Sequence, residues 1–243
     1  MLEGNNISKK FGGVDALRSV DFFIGEKEIV GLIGPNGAGK TTLFNLISGI
    51  HRPDTGVITF NGENIVGLKP FDIRRMGIGR TFQIMKPFLR MTTMENVLVA
   101  ALHGRNSTVS MHDAKQEALK LLDFVGLSGK KDTLARSLTL AERRALEIAR
   151  ALAAEPKLVL LDEVVAGLNP VEAVNAMELI KDIRDELGLS VFWIEHVMKA
   201  IMNICQRVIV LHQGTKIAEG PPKVIAKDES VIKAYLGDTY EHA

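Results

Sequence analysis

The sequence predicts an α/β fold with a mainly parallel sheet, an N-terminal antiparallel β-subdomain and a helical subdomain insert. Short apolar runs have the length of buried strands and lie at 28–33, 158–161 and 190–194. Such continuous runs are typical of parallel strands covered on both faces, because a strand with one wet face alternates instead. Between 84 and 150 the pattern is helical with few β-branched runs, which predicts the insert.

Antiparallel pairs are predicted on both sides of the first apolar run. Residues 2–8 and 14–24 have the pattern of two strands joined by the Gly12-Gly13 turn. Residues 58–65 carry Asn61-Gly62 between two short strand-like segments, and this dipeptide favours a tight hairpin turn. We therefore expect a small antiparallel β-layer near the N-terminus.

Helix signals and a further hairpin account for the remaining elements. His112 to Val125 places apolar residues on one face, and Gly126 is a natural stop. Asn169-Pro170 combines an N-cap residue with proline at the first helical position. The inner face of that helix is predicted to consist of Ala176, Leu179, Ile180, Ile183 and Leu187, and Gly188 to end it. A closing hairpin is predicted over 207–218 and one last amphipathic helix over 222–237, with the final six residues frayed.

Composition and charge limit the classes of function. The chain is 46% hydrophobic, as ordinary globular proteins are, and no run of 18 apolar residues predicts a membrane span. The N-terminus lacks the pattern of a signal peptide, and Cys205 is the single cysteine, so we expect a reducing cytoplasmic location. The formal net charge of +1 argues against nucleic acid as a partner.

The stretch from Gly34 to Thr41 fits the phosphate-loop pattern G-x-x-x-x-G-K-[ST] at every fixed position. A predicted strand precedes it and a predicted helix follows it, which is the geometry that a polyphosphate requires. Lys40 would reach the β- and γ-phosphates, and the Thr41 hydroxyl would hold Mg²⁺. The residues assigned to ATP at this loop are Gly34, Pro35, Asn36, Gly37, Ala38, Gly39, Lys40, Thr41 and Thr42. The alternative is a chance glycine-rich turn, which the strand and helix around it make uncommon.

Two acidic residues end the second apolar run. Asp162 and Glu163 follow four apolar residues, at the carboxyl edge of the sheet where open α/β folds bind ligands. We expect Asp162 to hold the water shell of Mg²⁺ and Glu163 to position or deprotonate the attacking water. A strand that ends in two solvated acids is the alternative, and the phosphate loop upstream makes it the weaker one.

These motifs narrow the fold to a phosphate-loop NTPase core. We predict one domain over 1–243, with the nucleotide-binding core formed by 1–83 and 151–243 and the helical subdomain by 84–150. Phe11 follows two lysines and is expected to be exposed. Its ring would stack on adenine or pack into the small β-layer, and the residues alone favour neither.

The order of these features resembles the ATP-binding subunit of ABC transporters over essentially the whole chain. The stretches most similar to ATPases of branched-chain amino-acid importers are Gly79 to Gln83, Leu146 to Arg150, Ala166 to Pro170, Ile194 to Met198, Ala218 to Gly220 and Ala234 to Gly237. Lipid, urea and lipopolysaccharide transport ATPases look similar, so the resemblance implies ATP-driven solute transport more firmly than it implies a solute.

The resemblance implies roles for three residues outside the phosphate loop. Phe11 would stack on adenine, and His196, after a sheet strand, would contact the γ-phosphate. Gln83 would contact Mg²⁺ and the attacking water and link the site to a transmembrane partner. The segment from Ile84 to Met91 is apolar for a loop. We therefore expect either that permease subunits dock near Gln83 to Met91 or that these side chains pack beneath the helical insert.

The chain departs from the family at the signature loop, usually Leu-Ser-Gly-Gly-Gln and here Leu138 to Glu142. Thr139 keeps a hydroxyl, Ala141 adds a methyl group and restricts φ, and Glu142 brings negative charge toward phosphate unless it turns aside. The helix that follows is expected to begin at Arg143 and to offer its positive end to an anion. A second departure is Val164, where a proline is usual, and we expect only a modest change of turn geometry there.

The altered loop leads to hypotheses about partners. In the family each site joins the phosphate loop of one subunit to the signature of the other. We therefore expect an asymmetric heterodimer with a second ATP-binding subunit, with a homodimer as the alternative, held at the inner face of the cell membrane by permease subunits. A regulatory subunit with weak hydrolysis is a further alternative, and an ATPase acting on DNA or ribosomes is disfavoured by the charge balance.

Overall fold

The computed structural model describes residues 1–82, 86–103 and 109–236. The strands are β1 (Leu2–Phe11), β2 (Val14–Ile24), β3 (Ile29–Ile33), β4 (Thr55–Phe60), β5 (Glu63–Asn64), β6 (Ile78–Arg80), β7 (Leu158–Asp162), β8 (Ser190–Ile194), β9 (Arg207–His212) and β10 (Thr215–Gly220). The helices are α1 (Lys40–Ile47), α2 (Pro70–Met76), α3 (Thr93–His103), α4 (Met111–Phe124), α5 (Leu140–Leu152), α6 (Pro170–Asp185), α7 (Met198–Ile204), α8 (Pro222–Ile225) and α9 (Glu229–Leu236).

The chain packs as two compact units, a first unit of 1–70 with 190–243 and a second unit of 71–189. Strands and helices alternate along the chain, the N-terminal strands are antiparallel, and the apolar runs form mostly parallel strands, so the predicted α/β class is confirmed. The separation of a core from a helical subdomain over 84–150 stays a prediction.

An antiparallel sheet with the strand order β2-β1-β4-β5 lies in the first unit. The Asn61-Gly62 turn joins β4 to β5 with positive φ at both residues, as this dipeptide predicts. Strand β1 extends to Phe11 instead of ending at residue 8, because it stays paired with β2 up to the partner of Phe11, Val14.

The parallel strands of the first unit surround β3, which pairs with β8 on one side and β9 on the other. All five residues of β3 are buried, which explains its continuous apolar run. Phe44 of α1 packs on Phe192 of β8 at 5.1 Å between ring centroids, and Phe22 of β2 stacks on the same ring at 6.1 Å. These contacts anchor the helix that follows the phosphate loop.

In the second unit, β6 and β7 are parallel, with Arg80 opposite Leu160. Helix α4 buries Ala114, Ala118, Leu121 and Leu122 and is followed by Gly126 with a φ of 74°, so its predicted face and stop are confirmed. Buried Asn96 holds the segment before α3, since its amide donates to Phe88 O at 3.1 Å and accepts from Phe88 N at 2.8 Å.

The prediction of one helix over 222–237 is wrong. Helix α8 ends at Ile225, and Asp228 starts α9 because its Oδ1 accepts from the backbone N–H groups of Ser230 and Val231. The predicted fraying of the final six residues falls on 238–243, outside the described residues.

Helix α6 begins as predicted but its inner face is shorter. Asn169 caps it reciprocally with Glu172. Leu187 was expected on the inner face, yet it lies beyond the helix end at Asp185 and is 41% exposed. Ala176 and Leu179 are half-buried and line a cavity of about 440 Å³, so Ile180 and Ile183 form the buried part of that face.

Candidate functional site

The phosphate loop connects β3 to α1, and two of its glycines are required by close packing. Gly34 and Gly39 have φ values of 150° and 103°. A Cβ at Gly34 would lie 2.0 Å from Leu211 O, and a Cβ at Gly39 would lie 2.5 Å from Ala16 O. Because no side chain fits at either position, the loop can keep the tight course that exposes its backbone N–H groups.

Lys40 is folded over its own loop. Its ammonium group donates to Gly34 O at 2.6 Å and to Pro35 O at 3.0 Å, and the residue is 9% exposed. A phosphate oxygen is a stronger acceptor for this charge than a neutral carbonyl, so the same ammonium group can turn to a bound polyphosphate. Thr41 is exposed and Thr42 is half-buried in the first turn of α1.

Other elements of the first unit hold this loop from outside. The turn between β9 and β10 bridges it to β2, since Gly214 N donates to Ala38 O at 3.1 Å and Gly214 O accepts from Arg18 N at 2.7 Å. Burial raises the pKa of Tyr235 in α9, and a backbone hydrogen bond with Gly34 counters that rise. Sequence reasoning missed these supports, because they depend on contacts distant in sequence.

Phe11 lies at the end of β1 and is 42% exposed, as expected. Its ring makes an edge contact with His51 at 5.2 Å between centroids, and Lys9 Nζ lies 5.3 Å from its centroid. The ring therefore has an aromatic neighbour and a cation near it while it stays partly exposed, and the choice between adenine stacking and packing stays a prediction.

The acidic end of β7 is held by the strand beside it. Asp162 N donates to Thr81 Oγ1 at 3.0 Å, and Thr81 N donates to Leu160 O at 2.9 Å. Arg80 Nη2 lies 3.5 Å from Asp162 Oδ2, and both side chains are buried. Residue Asp162 is 1% exposed, so the alternative of a solvated acid is wrong for it.

One oxygen of Asp162 has no protein partner. Burial raises the pKa of this carboxyl group, while Arg80 lowers it and the neighbouring Glu163 raises it. Oδ2 lies near Arg80, whereas Oδ1 is buried with no hydrogen-bond partner among the described residues. A buried carboxylate oxygen without a donor is costly unless a ligand or water satisfies it, and oxygen is the ligand that Mg²⁺ prefers. The unpartnered carboxylate oxygen of Asp162 therefore fits the role of a ligand to a magnesium ion.

Glu163 follows as the first residue of a turn and is half-buried, with a φ of 52°. A positive φ at a residue other than glycine is strained and often marks a functional position. Val164, which stands where the family usually has proline, is buried at 1% exposure.

His196 follows β8 with an exposed imidazole. Glu195, by contrast, is buried, and its Oε1 accepts from His196 N at 2.9 Å and lies 3.5 Å from His196 Nδ1. The carboxylate therefore fixes the backbone of His196 and lies beside Nδ1 of its ring.

The helix that follows the signature loop begins earlier in the sequence than predicted. Helix α5 begins at Leu140 instead of Arg143, and Thr139 is its N-cap. Glu142 turns back: its Oε2 accepts from Thr139 N at 2.8 Å and its Oε1 lies 3.3 Å from Lys130 Nζ. The Thr139 hydroxyl accepts from Glu142 N at 3.3 Å, which completes a capping box. Ala141 lies within the helix, so the expected restriction of its φ has no consequence.

Gln83 lies outside the described residues, as do Ile84 and Met85. On either side, Phe82 and Phe88 are exposed, and each ring lies on an arginine: Arg80 at 4.9 Å and Arg150 at 5.2 Å. The alternative that 86–91 packs beneath the helical insert is therefore disfavoured for Phe88 and Leu89, which are both exposed.

A phosphate loop with its lysine, and a buried strand that ends in two carboxylates, define a phosphate-loop nucleotide hydrolase. Residues 17–166 match the family described as ABC transporter, and residues 215–241 match the one described as branched-chain amino acid ATP-binding cassette transporter. The chain belongs to the ABC transporter family, as an ATP-binding subunit with ATPase chemistry.

Two relatives cover nearly the whole chain. It is 40% identical over 250 residues to the high-affinity branched-chain amino acid transport ATP-binding protein LivG of Salmonella typhimurium, with 98% of each chain covered. It is 36% identical to the lipopolysaccharide export system ATP-binding protein LptB of Haemophilus influenzae, with 99% of each covered.

Solved structures agree with the family. The ADP conformation of the ATP-binding cassette MJ1267 is 30% identical, with a TM-score of 0.90 over 98% of this chain and 99% of that one. A dimeric cassette, MJ0796 bound to ADP and phosphate, is 26% identical, with a TM-score of 0.82 over 91% and 99%. No helix in the described ranges is long and apolar enough to cross a membrane.

Proposed function

We propose that this chain hydrolyses ATP to drive the uptake of branched-chain amino acids through separate permease subunits. The observation that carries the proposal is its likeness to LivG over 98% of both chains. The match of 215–241 to the branched-chain family supports this solute over the lipopolysaccharide named for LptB, since that segment lies outside the general ABC match.

The phosphate loop binds ATP in this proposal. Backbone N–H groups of Asn36, Gly37 and Gly39 and the positive end of α1 receive the β- and γ-phosphates. Lys40 exchanges its carbonyl partners for phosphate oxygens. Phe11 stacks on adenine. Thr41, Gln83 and Asp162 would hold Mg²⁺, which would neutralise charge that develops on the phosphate oxygens.

Hydrolysis then depends on groups that act on water and on the γ-phosphate. Glu163 accepts a proton from the attacking water or orients it, and Gln83 contacts the same water. His196 contacts the γ-phosphate with its exposed imidazole, and the Glu195 carboxylate lies beside Nδ1 of that ring.

The partner is proposed to be a different ATP-binding subunit, so that the working dimer is asymmetric. The capping box already removes the charge conflict at Glu142, because its carboxylate pairs with Lys130 and Thr139 N. The remaining obstacle to phosphate binding is steric. Leu140, which is 42% exposed, and Ala141 place side chains at the two positions where the family has glycines that let the backbone approach phosphate. In one of the two ATP sites of the dimer, this chain therefore contributes a weak signature loop with Thr139, Ala141 and Glu142. In the other site it contributes the phosphate-loop half with Lys40, Asp162 and Glu163, which is the stronger contribution.

The chain is proposed to lie on the cytoplasmic face of the cell membrane, attached through permease subunits. The residues from Gln83 to Met91 form the docking surface, supported by the exposed Phe88 and Leu89. Asn96 and Arg150 hold the described part of this surface, because the Asn96 amide donates to Phe88 O at 3.1 Å and Arg150 Nη1 donates to Lys86 O at 3.1 Å.

Transport by the reconstituted complex tests this proposal. Vesicles carrying the chain, its partner ATPase and their permeases should accumulate radiolabelled leucine when ATP is supplied on the cassette side. Complexes with Glu163→Gln should bind ATP and fail to transport, whereas exposed Lys120→Ala serves as a matched control. Lipopolysaccharide extraction without leucine uptake would contradict the amino-acid assignment, and full transport by Glu163→Gln would support a purely regulatory role instead.

A further inference from the structure

We propose that Arg80 is a positioning residue that orients Asp162 for Mg²⁺ and that Phe82 holds Arg80 in place. This inference rests on the proposed function, in which Asp162 contributes a metal ligand. It connects the buried carboxylate of Asp162, through Arg80, to the exposed ring of Phe82.

The first step is the ion pair between Arg80 and Asp162. Arg80 Nη2 lies 3.5 Å from Asp162 Oδ2, and the two side chains are 7% and 2% exposed. Two buried charges at this distance stabilise each other, and removal of either leaves the other uncompensated. The pair therefore fixes which way the carboxylate faces.

The two carboxylate oxygens consequently have different environments. Oδ2 is engaged by Arg80, while Oδ1 is buried without a hydrogen-bond partner in the described part of the chain. Thr81 fixes the backbone beneath, because its hydroxyl accepts from Asp162 N. Partners outside the coordination sphere orient a metal ligand in this way, so that one oxygen is presented to the ion.

The second step is the contact between Arg80 and Phe82. The guanidinium carbon of Arg80 lies 4.9 Å from the centroid of the Phe82 ring, within the range of a cation–π contact. Phe82 is 43% exposed, and it directly precedes the proposed docking surface. A partner that displaces this ring would loosen Arg80 and, through it, the orientation of Asp162.

The chain offers a matched control in Phe71. Its ring lies 5.7 Å from the guanidinium carbon of Arg75, and it is 53% exposed. Phe71→Leu thus removes the same type of contact from helix α2. Phe82→Leu is an exposed substitution that should leave the fold intact, and Phe82→Tyr should keep the contact.

Binding of Mn²⁺ to the ADP-loaded purified chain, followed by electron paramagnetic resonance, tests the inference without hydrolysis. We expect Arg80→Lys to weaken Mn²⁺ binding about tenfold and Phe82→Leu to weaken it about threefold. Phe71→Leu and Phe82→Tyr should match the unmodified chain, and ADP affinity in EDTA should be unchanged in every variant.

Equal Mn²⁺ affinity in Phe82→Leu and Phe71→Leu would overturn the role of Phe82, and unmodified affinity in Arg80→Lys would overturn the role of Arg80. The variant Asp162→Asn distinguishes an error in the roles of Arg80 and Phe82 from an error in the proposed function. If Asp162→Asn also keeps the full Mn²⁺ affinity, the metal assignment itself is wrong and the inference falls with it.

Discussion

Helices α1 and α5 both begin where the ABC family binds phosphate, but their first turns are built differently. Gly39 precedes α1 in a left-handed conformation, and no described side chain caps that helix. Thr139 precedes α5 with a complete capping box, in which Glu142 adds a carboxylate to the first turn. The start of α1 has no side-chain cap among the described residues, whereas the capping box at the start of α5 satisfies two N–H groups internally.

The difference teaches that a helix N-terminus is not by itself a phosphate site. A first-turn carboxylate interacts favourably with the helix dipole and offsets the positive end that would attract phosphate. At α1 the glycines keep side chains away, and Lys40 supplies a positive charge that lies over the loop. The phosphate loop is therefore organised for an external ligand, and the signature loop of this chain is organised for its own stability.

The largest effect is expected at Glu163, the proposed catalytic carboxylate. Glu163→Gln should lower ATP hydrolysis by about 10²–10⁴-fold, because an amide cannot accept a proton from water. Nucleotide binding should persist, since the phosphate loop is untouched. A filter assay for bound ATP beside a phosphate-release assay checks both parts, and rapid turnover in the mutant would remove Glu163 from the chemistry.

The second-largest effect is expected at Lys40, the residue by which the start of α1 differs most from the start of α5. Lys40→Ala should weaken ATP binding by about 10–100-fold, through loss of a charge-assisted contact. Titration of a fluorescent ATP analogue checks this, with exposed Lys120→Ala as the control. Unchanged affinity would show that backbone N–H groups alone bind the phosphates.

A third change converts the signature loop toward the family pattern. Leu140→Gly with Ala141→Gly should raise hydrolysis by the chain alone about tenfold, because backbone donors can then approach phosphate. Helix stability should fall by about 1 kcal/mol per glycine. Phosphate release and thermal unfolding measure the two effects, and a double mutant as slow as the parent would place the defect elsewhere.

The capping box itself is a smaller contribution to stability. Thr139→Ala should destabilise the chain by about 1 kcal/mol, since the N–H of Glu142 loses its acceptor. Ser110→Ala is matched, because Ser110 caps α4 in the same way by accepting from Asp113 N. Urea unfolding should show similar losses, and a loss confined to Ser110→Ala would refute the cap at Thr139.

The smallest effect is a pH dependence at the same cap. The backbone N–H of Thr139 is the largest influence on the pKa of Glu142 and lowers it, with Lys130 adding to the effect. A lowered folded-state pKa stabilises the fold above the unfolded pKa, and the gain is lost as the pH falls through the folded value. The stability difference between the parent and Glu142→Gln should thus be present at pH 7 and vanish in acid.

Much of this comparison was predictable from sequence. The phosphate loop is visible because its glycines and lysine are required at fixed spacing by local geometry. The start of α5 was missed, although Thr139 and Glu142 have the spacing of a capping box. In the same way, Asp228 was overlooked as the cap that divides the last helix.

Arg80 was not predictable as a partner of Asp162. The two residues are 82 positions apart, and the pairing of β6 with β7 brings them together. The same holds for the turn at Gly214, which supports the phosphate loop through Ala38. Local motifs are encoded in neighbouring residues, whereas the contacts that hold them depend on the whole sheet.

Steady-state ATP hydrolysis tests the central claim most directly. The purified chain should be assayed alone and with a partner ATPase that carries an intact Leu-Ser-Gly-Gly-Gln loop. The difference between the two helix ends predicts strong hydrolysis only with the partner, and loss of that activity when this chain carries Glu163→Gln. Equal hydrolysis by the chain alone would contradict the account, because Thr139, Ala141 and Glu142 would then complete a site unaided.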